Sequence, residues 1–427
     1  MLAKQSPPMS FTSLAYLMDL PWLLEAYHRT RKNGATGVDG QTWHEYGQNL
    51  EANLQSLLDR AKSGRYTAPP VKRVHIPKAG SPTQTRPIGI PTLEDKVLQR
   101  AVVMLLEPLY EQDFVQGSYG FRPGRGAHQA LERLWKETMN AEGGWVLEVD
   151  ISKFFDTLDH GHLRQFVRHR VRDGVLLRLI GKWLNAGVME SGQISYPDSG
   201  SPQGGVVSPL LANVYLHYVL DTWFEREVQP RLAGRAYLIR YADDFVIGFT
   251  DEKDARRVMD VLPKRFGRYG LKIHPEKTRL VRFKKPEDRD GSSGKPESFD
   301  LLGFTHYWAR SLRGNWVVKR KTSDSRLSRG LRAINQWCRN HRHEPLAEQQ
   351  QALSQKIRGH CAYYGITGNS QCLSAFRLWL VRTWRLWLSR RNRERGMTWD
   401  RFNRLLERYP LPAALAIHST YRPAANP

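Results

Sequence analysis

The chain has 427 residues, 40% hydrophobic and 11% aromatic, which excludes an intrinsically disordered protein and is enough for two or three domains with their own cores. Against 42 Asp and Glu stand 65 Lys and Arg, a formal charge of +23. Self-repulsion of that size is relieved by a polyanion, so nucleic acid is the expected partner, with a merely basic enzyme as the alternative.

Residues 1–70 read as helical, with LPWLLEAYHRTRKNG followed by the turn-rich GATGVDG, whose Gly34, Gly37 and Gly40 suit positive φ angles. A second helix is expected from Tyr46 to Lys62, then a strand over VKRVHIPK. Pro77, Pro82, Pro87 and Pro91 make the next stretch extended and loop-like, and Glu94 to Tyr110 is helical again. Trp145 to Ile151 is a short apolar run ending near an acid and suits a buried strand. Leu238 to Phe249 reads as a hairpin with Asp243 and Asp244 near its turn. Residues 286–298 are polar and rich in Gly, Ser and Pro, a loop. From about 320 to 412, Leu327, Leu331, Ile334 and Trp337 recur at helical spacing, as do Leu373, Phe376, Leu380, Trp384 and Trp387. These stripes are core positions of a helical bundle. Arg377, Arg382, Arg385, Arg390 and Arg391, interleaved with the second stripe, are the expected RNA-binding surface.

Cys338, Cys361 and Cys372 form no C-x-x-C pair, which argues against a zinc site or a disulfide framework. The N-terminus lacks the apolar run of a signal peptide, and no uninterrupted apolar stretch is long enough to span a bilayer, so no membrane partner is expected and a cytoplasmic setting fits.

Asp150, Asp243 and Asp244 are the candidate chemistry. An Asp-Asp pair alone is more often a solvated turn than a site. Tyr241 on one side and Phe245-Val246-Ile247 on the other change that reading, because an exposed turn needs no apolar bracket. At a tight turn both carboxylates can approach one point, where they would raise each other's pKa unless a divalent cation intervened. Hard oxygen ligands suit magnesium, and two such ions serve phosphoryl transfer to a 3′-hydroxyl.

Tyr241-Ala242-Asp243-Asp244 resembles the catalytic box of reverse transcriptases. RPIGIPTLEDKVLQ from Arg86 and GSYGFRPGRGAHQAL from Gly117 resemble finger segments of group II intron reverse transcriptases. LEVDISKFFDTLDH from Leu147 resembles their first catalytic box, and GSPQGGVVSPLLANVYL from Gly200 the segment that packs on the templating base pair. GLKIHPEKTRL, LLGF, the upstream GATGVDG and the downstream IRGHCAYYGITGN follow in the family's order, the last resembling the maturase region called domain X.

The resemblance implies an α+β, right-hand polymerase architecture, with fingers and palm and an α-helical thumb or domain X. It divides the chain into an N-terminal extension over 1–70, fingers and palm over 71–310, and thumb and domain X over 311–427. It implies an RNA-directed DNA polymerase that also binds group II intron RNA and assists splicing and mobility. A domesticated reverse transcriptase used in defence or repair, or a splicing cofactor with little polymerase activity, is the alternative. Asp150, Asp243 and Asp244 would hold two Mg2+, or Mn2+ in substitution, with the Ile151 carbonyl as a further ligand. Phe155 would be the steric gate against a ribose 2′-hydroxyl, and Gln203 would lie against the incoming deoxynucleoside triphosphate. Lys78 and Arg86 would grip its phosphates, and Lys277 would protonate the leaving pyrophosphate. Asp156 and Asp159 read as structural, capping a helix near His160. The implied partners are an RNA template, a DNA primer, intron RNA and target DNA, in a bacterial, nucleoid-associated setting. Lacking the Cys pairs of an HNH nuclease, the sequence resembles the compact, endonuclease-free type.

Overall fold

The computed structural model describes residues 9–77, 85–196, 200, 204–286, 297–391 and 396–418. Lys78, Gln203 and most of the polar stretch 286–298 lie outside the described residues. The chain forms two compact units, Met1–Ala130 with Leu147–Leu280, and Leu131–Val146 with Val281–Pro427. These units cut across the three-part division expected from the sequence: residues 1–70 group with the first, and 131–146 and 281–310 with the second.

The first unit begins with α1 (Leu20–His28), capped by the Asp19 side chain. The helix expected from Tyr46 to Lys62 is two: α2 (Trp43–Gly47), opened by a Thr42–Glu45 capping box, and α3 (Leu50–Ser63). Leu54, Leu57, Leu58 and Ala61 form the buried stripe of α3, and Gly64 ends it at φ 80°. Of the three early glycines only Gly40 takes a positive φ. Gly37 is needed for a different reason, since a Cβ there would come within 2.6 Å of the Thr92 backbone.

Strands β1 (Val71–Pro77) and β2 (Thr85–Ile90) pair antiparallel, followed by α4 (Leu93–Tyr110), capped by Thr92. Residues 85–90, expected as loop, form a strand despite Pro87. β2 lies at the edge of its sheet, where a missing N–H can face away from the ladder. Next come α5 (Ala127–Asn140), β3 (Trp145–Val149) and β4 (Ile151–Ser152). Then follow α6 (His160–Arg168), α7 (Gly174–Leu184), β5 (Val188–Glu190), β6 (Gln193–Ser195) and α8 (Ser208–Leu216). Asp159 caps α6, its carboxylate accepting from His162 N–H at 2.7 Å. Beyond α8 the helix runs on through two π-helical turns, His217–Asp221 and Phe224–Val228.

The hairpin β7 (Ala236–Tyr241) and β8 (Asp244–Phe249) is followed by α9 (Glu252–Arg268), β9 (Lys272–Ile273) and β10 (Arg279–Arg282). Two four-stranded sheets result, in the orders β2-β1-β5-β6 and β10-β3-β8-β7. The second is central to the site. Strands β3, β7 and β8 are almost wholly buried, as near-continuous apolar runs demand.

The second unit carries an antiparallel sheet of β11 (Phe299–Leu301), β12 (Phe304–Arg310) and β13 (Trp316–Thr322). Four helices follow: α10 (Asp324–Asn340), α11 (Leu346–Tyr364), α12 (Ser370–Ser389) and α13 (Trp399–Arg408). Ile334, Leu373, Phe376, Leu380 and Trp384 are buried in one core, with Leu327, Leu331, Trp337 and Trp387 packed against it, so the apolar stripes of the sequence are core. Among the described residues no helix is long and apolar enough to cross a membrane, and the three cysteines are free.

Candidate functional site

Tyr241 and Asp244 face each other as the last pair of the β7–β8 ladder, leaving Ala242 and Asp243 as a two-residue turn. Ala242 takes φ 56°, the left-handed value such a turn requires and a costly one for a residue with a Cβ. Phe245, Val246 and Ile247 are buried, as the apolar bracket predicts, whereas Asp244 is exposed and Asp243 half-buried.

Asp150 follows the end of β3, the strand beside β8, so the three acids lie at the ends of neighbouring strands of one sheet. Its carbonyl accepts from His274 N–H at 2.8 Å, and its carboxylate receives Lys277 Nζ at 2.8 Å. Ile151 pairs with Ile273. With position 150 bonded to 274, the antiparallel alternation turns the Ile151 carbonyl away from β9.

The turn is held from behind by residues that the sequence reading missed. Arg240 is wholly buried and forms a two-pronged ion pair with Asp221, also wholly buried, at 2.8 and 2.5 Å. Its remaining nitrogen donates to Asn213 Oδ1 and to the Ala242 carbonyl, each at 3.0 Å. Asn213 donates in turn to the Gly120 carbonyl at 2.7 Å. The backbone of Arg240 exchanges bonds with Gly117 and Tyr119, both 2.9 Å. Gly120 lies so close to the turn that a Cβ there would collide with the Ala242 backbone nitrogen. The signal in the sequence was Arg240 itself, a lone cation inside an otherwise apolar strand.

The other expected site residues divide. Phe154 is buried, and Phe155 beside it is half-buried, their rings edge to face at 5.3 Å. Gly200, at φ 94°, packs on the Phe155 and Asp156 carbonyls, which a Cβ would approach to 2.9 and 3.0 Å. Gly204, at φ 117°, packs on the Gly89 carbonyl of β2 and leaves no room for a Cβ. The two glycines therefore bring the ends of the segment containing Gln203 against Phe155 and β2. Arg86 is an exposed residue of β2 whose charge acts on Asp243. Lys277 meets Asp150 as described.

In the second unit the five arginines differ in their surroundings. Arg377 donates to the Pro412 carbonyl at 2.8 Å, Arg385 to Met397 at 2.7 Å and Arg391 to His343 at 3.0 Å. They brace backbone of their own unit. Arg382, Arg390 and Arg391 are exposed, Arg390 over the Trp387 ring at 4.7 Å.

Burial pushes the Asp243 carboxyl above its ordinary range. Its own backbone N–H, Arg86 and Arg240 act the other way, and the charge of Asp150 adds to the rise. Among the described residues no three acidic, His or Cys side chains converge closely enough to hold an ion as arranged. Asp150 is instead occupied by an ammonium. An all-oxygen donor set with one carboxyl disfavoured as an anion and another already drawing a cation has the chemistry that a hard divalent ion satisfies.

Residues 76–306 match the family model of reverse transcriptase (RNA-dependent DNA polymerase), and residues 327–406 that of the group II intron maturase-specific domain. Protein YkfC of Escherichia coli is 36% identical over 279 residues, covering 57% of this chain and 72% of that protein. Group II intron-encoded protein LtrA of Lactococcus lactis is 40% identical over 188 residues, covering 43% of this chain and 31% of LtrA. The putative COX1/OXI3 intron 2 protein of Saccharomyces cerevisiae is 27% identical over 296 residues, 69% of this chain and 32% of that protein. The chain thus spans under a third of the two intron proteins.

Proposed function

Because the chain belongs to the reverse transcriptase (RNA-dependent DNA polymerase) family and carries a group II intron maturase-specific domain, we propose that it copies RNA into DNA at the β7–β8 turn and binds intron RNA to assist its splicing and mobility. The observation that carries this reading is the coupling of Asp243, raised by burial, to Asp150 across one sheet. In the proposed right-hand arrangement the first unit supplies fingers and palm, and the helices of the second supply thumb and domain X.

Asp150, Asp243, Asp244 and the Ile151 carbonyl are the proposed ligands of two Mg2+ ions. Bound there, the ions would lower the pKa of a primer 3′-hydroxyl and stabilise charge on the leaving pyrophosphate. The chain's own residues do the rest. Arg86 draws in the triphosphate of an incoming deoxynucleotide, together with Lys78. The Phe155 ring fills the space a 2′-hydroxyl would need. The glycines flanking Gln203 let its backbone approach the nascent base pair. Lys277 holds a proton at Nζ, beside Asp150, where a leaving group could take it.

Primer extension on an RNA template with Mg2+ or Mn2+ tests the reading. Asp243→Asn is expected to abolish DNA synthesis and to leave RNA binding intact. No synthesis by the native chain, or an equal loss of both properties in the variant, would refute it.

A further inference from the structure

The loop that leans on the β7–β8 turn carries a residue with no structural reason to be what it is. Phe121 takes φ 55°, a backbone conformation that favours glycine, yet carries one of the largest side chains. Strain of this kind is ordinarily offset by burying the ring, but Phe121 is 54% exposed.

The residues on either side of it are tied down. Arg122, itself buried, clasps Glu111 at 2.9 Å through both Nε and Nη2, and donates to the Val115 and Ser118 carbonyls at 2.8 and 2.7 Å. Arg125 donates to the Gln116 carbonyl at 2.9 Å. Asn213 takes the Gly120 carbonyl, and Gly120 abuts the backbone of Ala242. A rigid loop therefore fixes an exposed, flat, apolar ring one residue from the backbone contact with the Asp243 turn. The partner that suits such a ring at such a place is flat, has a π face, and arrives with the substrate.

We propose that the Phe121 ring is a stacking platform for a nucleobase of the terminal base pair of the primer–template duplex. This inference rests on the polymerase reading above. The ring positions the duplex end relative to Asp243 and accepts any sequence, because every base offers a π face.

The test uses the full chain with primer–template duplexes carrying 2-aminopurine, either at the primer 3′ end or opposite it in the template. Phe121→Ala is expected to raise the fluorescence of the probe in whichever strand the ring meets, and to weaken primer–template binding by roughly tenfold. Phe121→Trp should restore quenching and binding. Phe121→Gly should melt at or above the native temperature, because the left-handed backbone no longer carries a Cβ, while losing the stacking signal. The proposal is overturned if the native chain extends primers and Phe121→Ala leaves both probes and binding unchanged. It is equally overturned if Phe121→Ala and Phe121→Gly both lower the melting temperature, which would make the ring a packing element. A native chain that extends no primer overturns the polymerase reading and this inference together.

Discussion

Asp221→Asn is the perturbation that most directly probes how the acid turn is held. Asp221 and Arg240 are both wholly buried, and their two bonds neutralise a guanidinium that has no access to water. Removing one partner of such a pair leaves a buried charge uncompensated, typically at a cost of about 3–5 kcal/mol. Arg240 keeps its bonds to Asn213 Oδ1 and the Ala242 carbonyl, and the substituted side chain would still offer it an amide oxygen. The loss should therefore fall at the low end, ~3 kcal/mol. Replacing both members, Asp221→Leu with Arg240→Met, removes the stranded charge but leaves the Asn213 and Ala242 oxygens without their donor, so stability should recover only in part, to within about 1–3 kcal/mol of native. The double variant nevertheless lacks the bond to Ala242. A shift of a reacting group by about an ångström costs on the order of a hundredfold in rate, so single-turnover primer extension should stay roughly 10- to 100-fold slow with RNA binding unchanged. Urea unfolding gives the stabilities and rapid-quench extension gives the rates. A single variant that loses under about 1 kcal/mol would refute the buried-charge argument. A double variant that recovers its rate would sink the claim that Arg240 holds the turn.

Two further outcomes follow from the same geometry. If Phe155 is the proposed gate, Phe155→Val should admit ribonucleotides, raising their incorporation relative to deoxynucleotides by roughly tenfold or more in steady-state competition, since the proposed selection is a steric clash; unchanged discrimination would place the gate elsewhere. Asp95 is buried on α4, accepts from Tyr66, and is pushed up to about 8, first by burial and then by the charge of Asp39. A carboxyl raised in the folded state contributes stability that is full below the ordinary carboxylate range and is lost as pH rises through about 8. Native melting temperature should thus fall relative to that of Asp95→Asn as pH rises from the ordinary carboxylate range to about 8 and level off above it, and parallel pH profiles would show that Asp95 is not the group responsible.

The hairpin was legible because two apolar arms around two acids admit few other folds, and Asp150 because its strand is a single buried run. Arg240 was not, since a cation in a strand reads as a solvent-facing position until its partner is known. That partner lies 19 residues upstream, in a π-helical turn to which a 3.6-residue periodicity is blind. Pro87 misled for a similar reason, because only the sheet order reveals that its strand is at an edge. The arginines of α12 look alike in sequence, but Arg377 and the nearby Arg391 reach carbonyls 35 and 48 residues away, contacts that helical spacing does not encode. Gly37, which as a turn residue suits a positive φ, is required instead for a close approach to Thr92.

Position and charge at the turn are set by different groups. The Arg240–Asp221 pair is neutral as a unit, so it can anchor the Ala242 carbonyl without neutralising the neighbouring acid. Arg240 comes last among the influences on Asp243, and burial comes first. Had a lone buried cation held the turn, it would have stabilised the Asp243 carboxylate directly and competed with whatever the acid is meant to bind. A paired cation gives rigidity and leaves the acid disfavoured as a bare anion. Lys277 on Asp150 differs in kind, since its side chain is 61% exposed and its ammonium can be displaced without stranding a charge in the interior. The buried pair therefore sets where the turn stands, and the exposed one can be broken without cost to the interior.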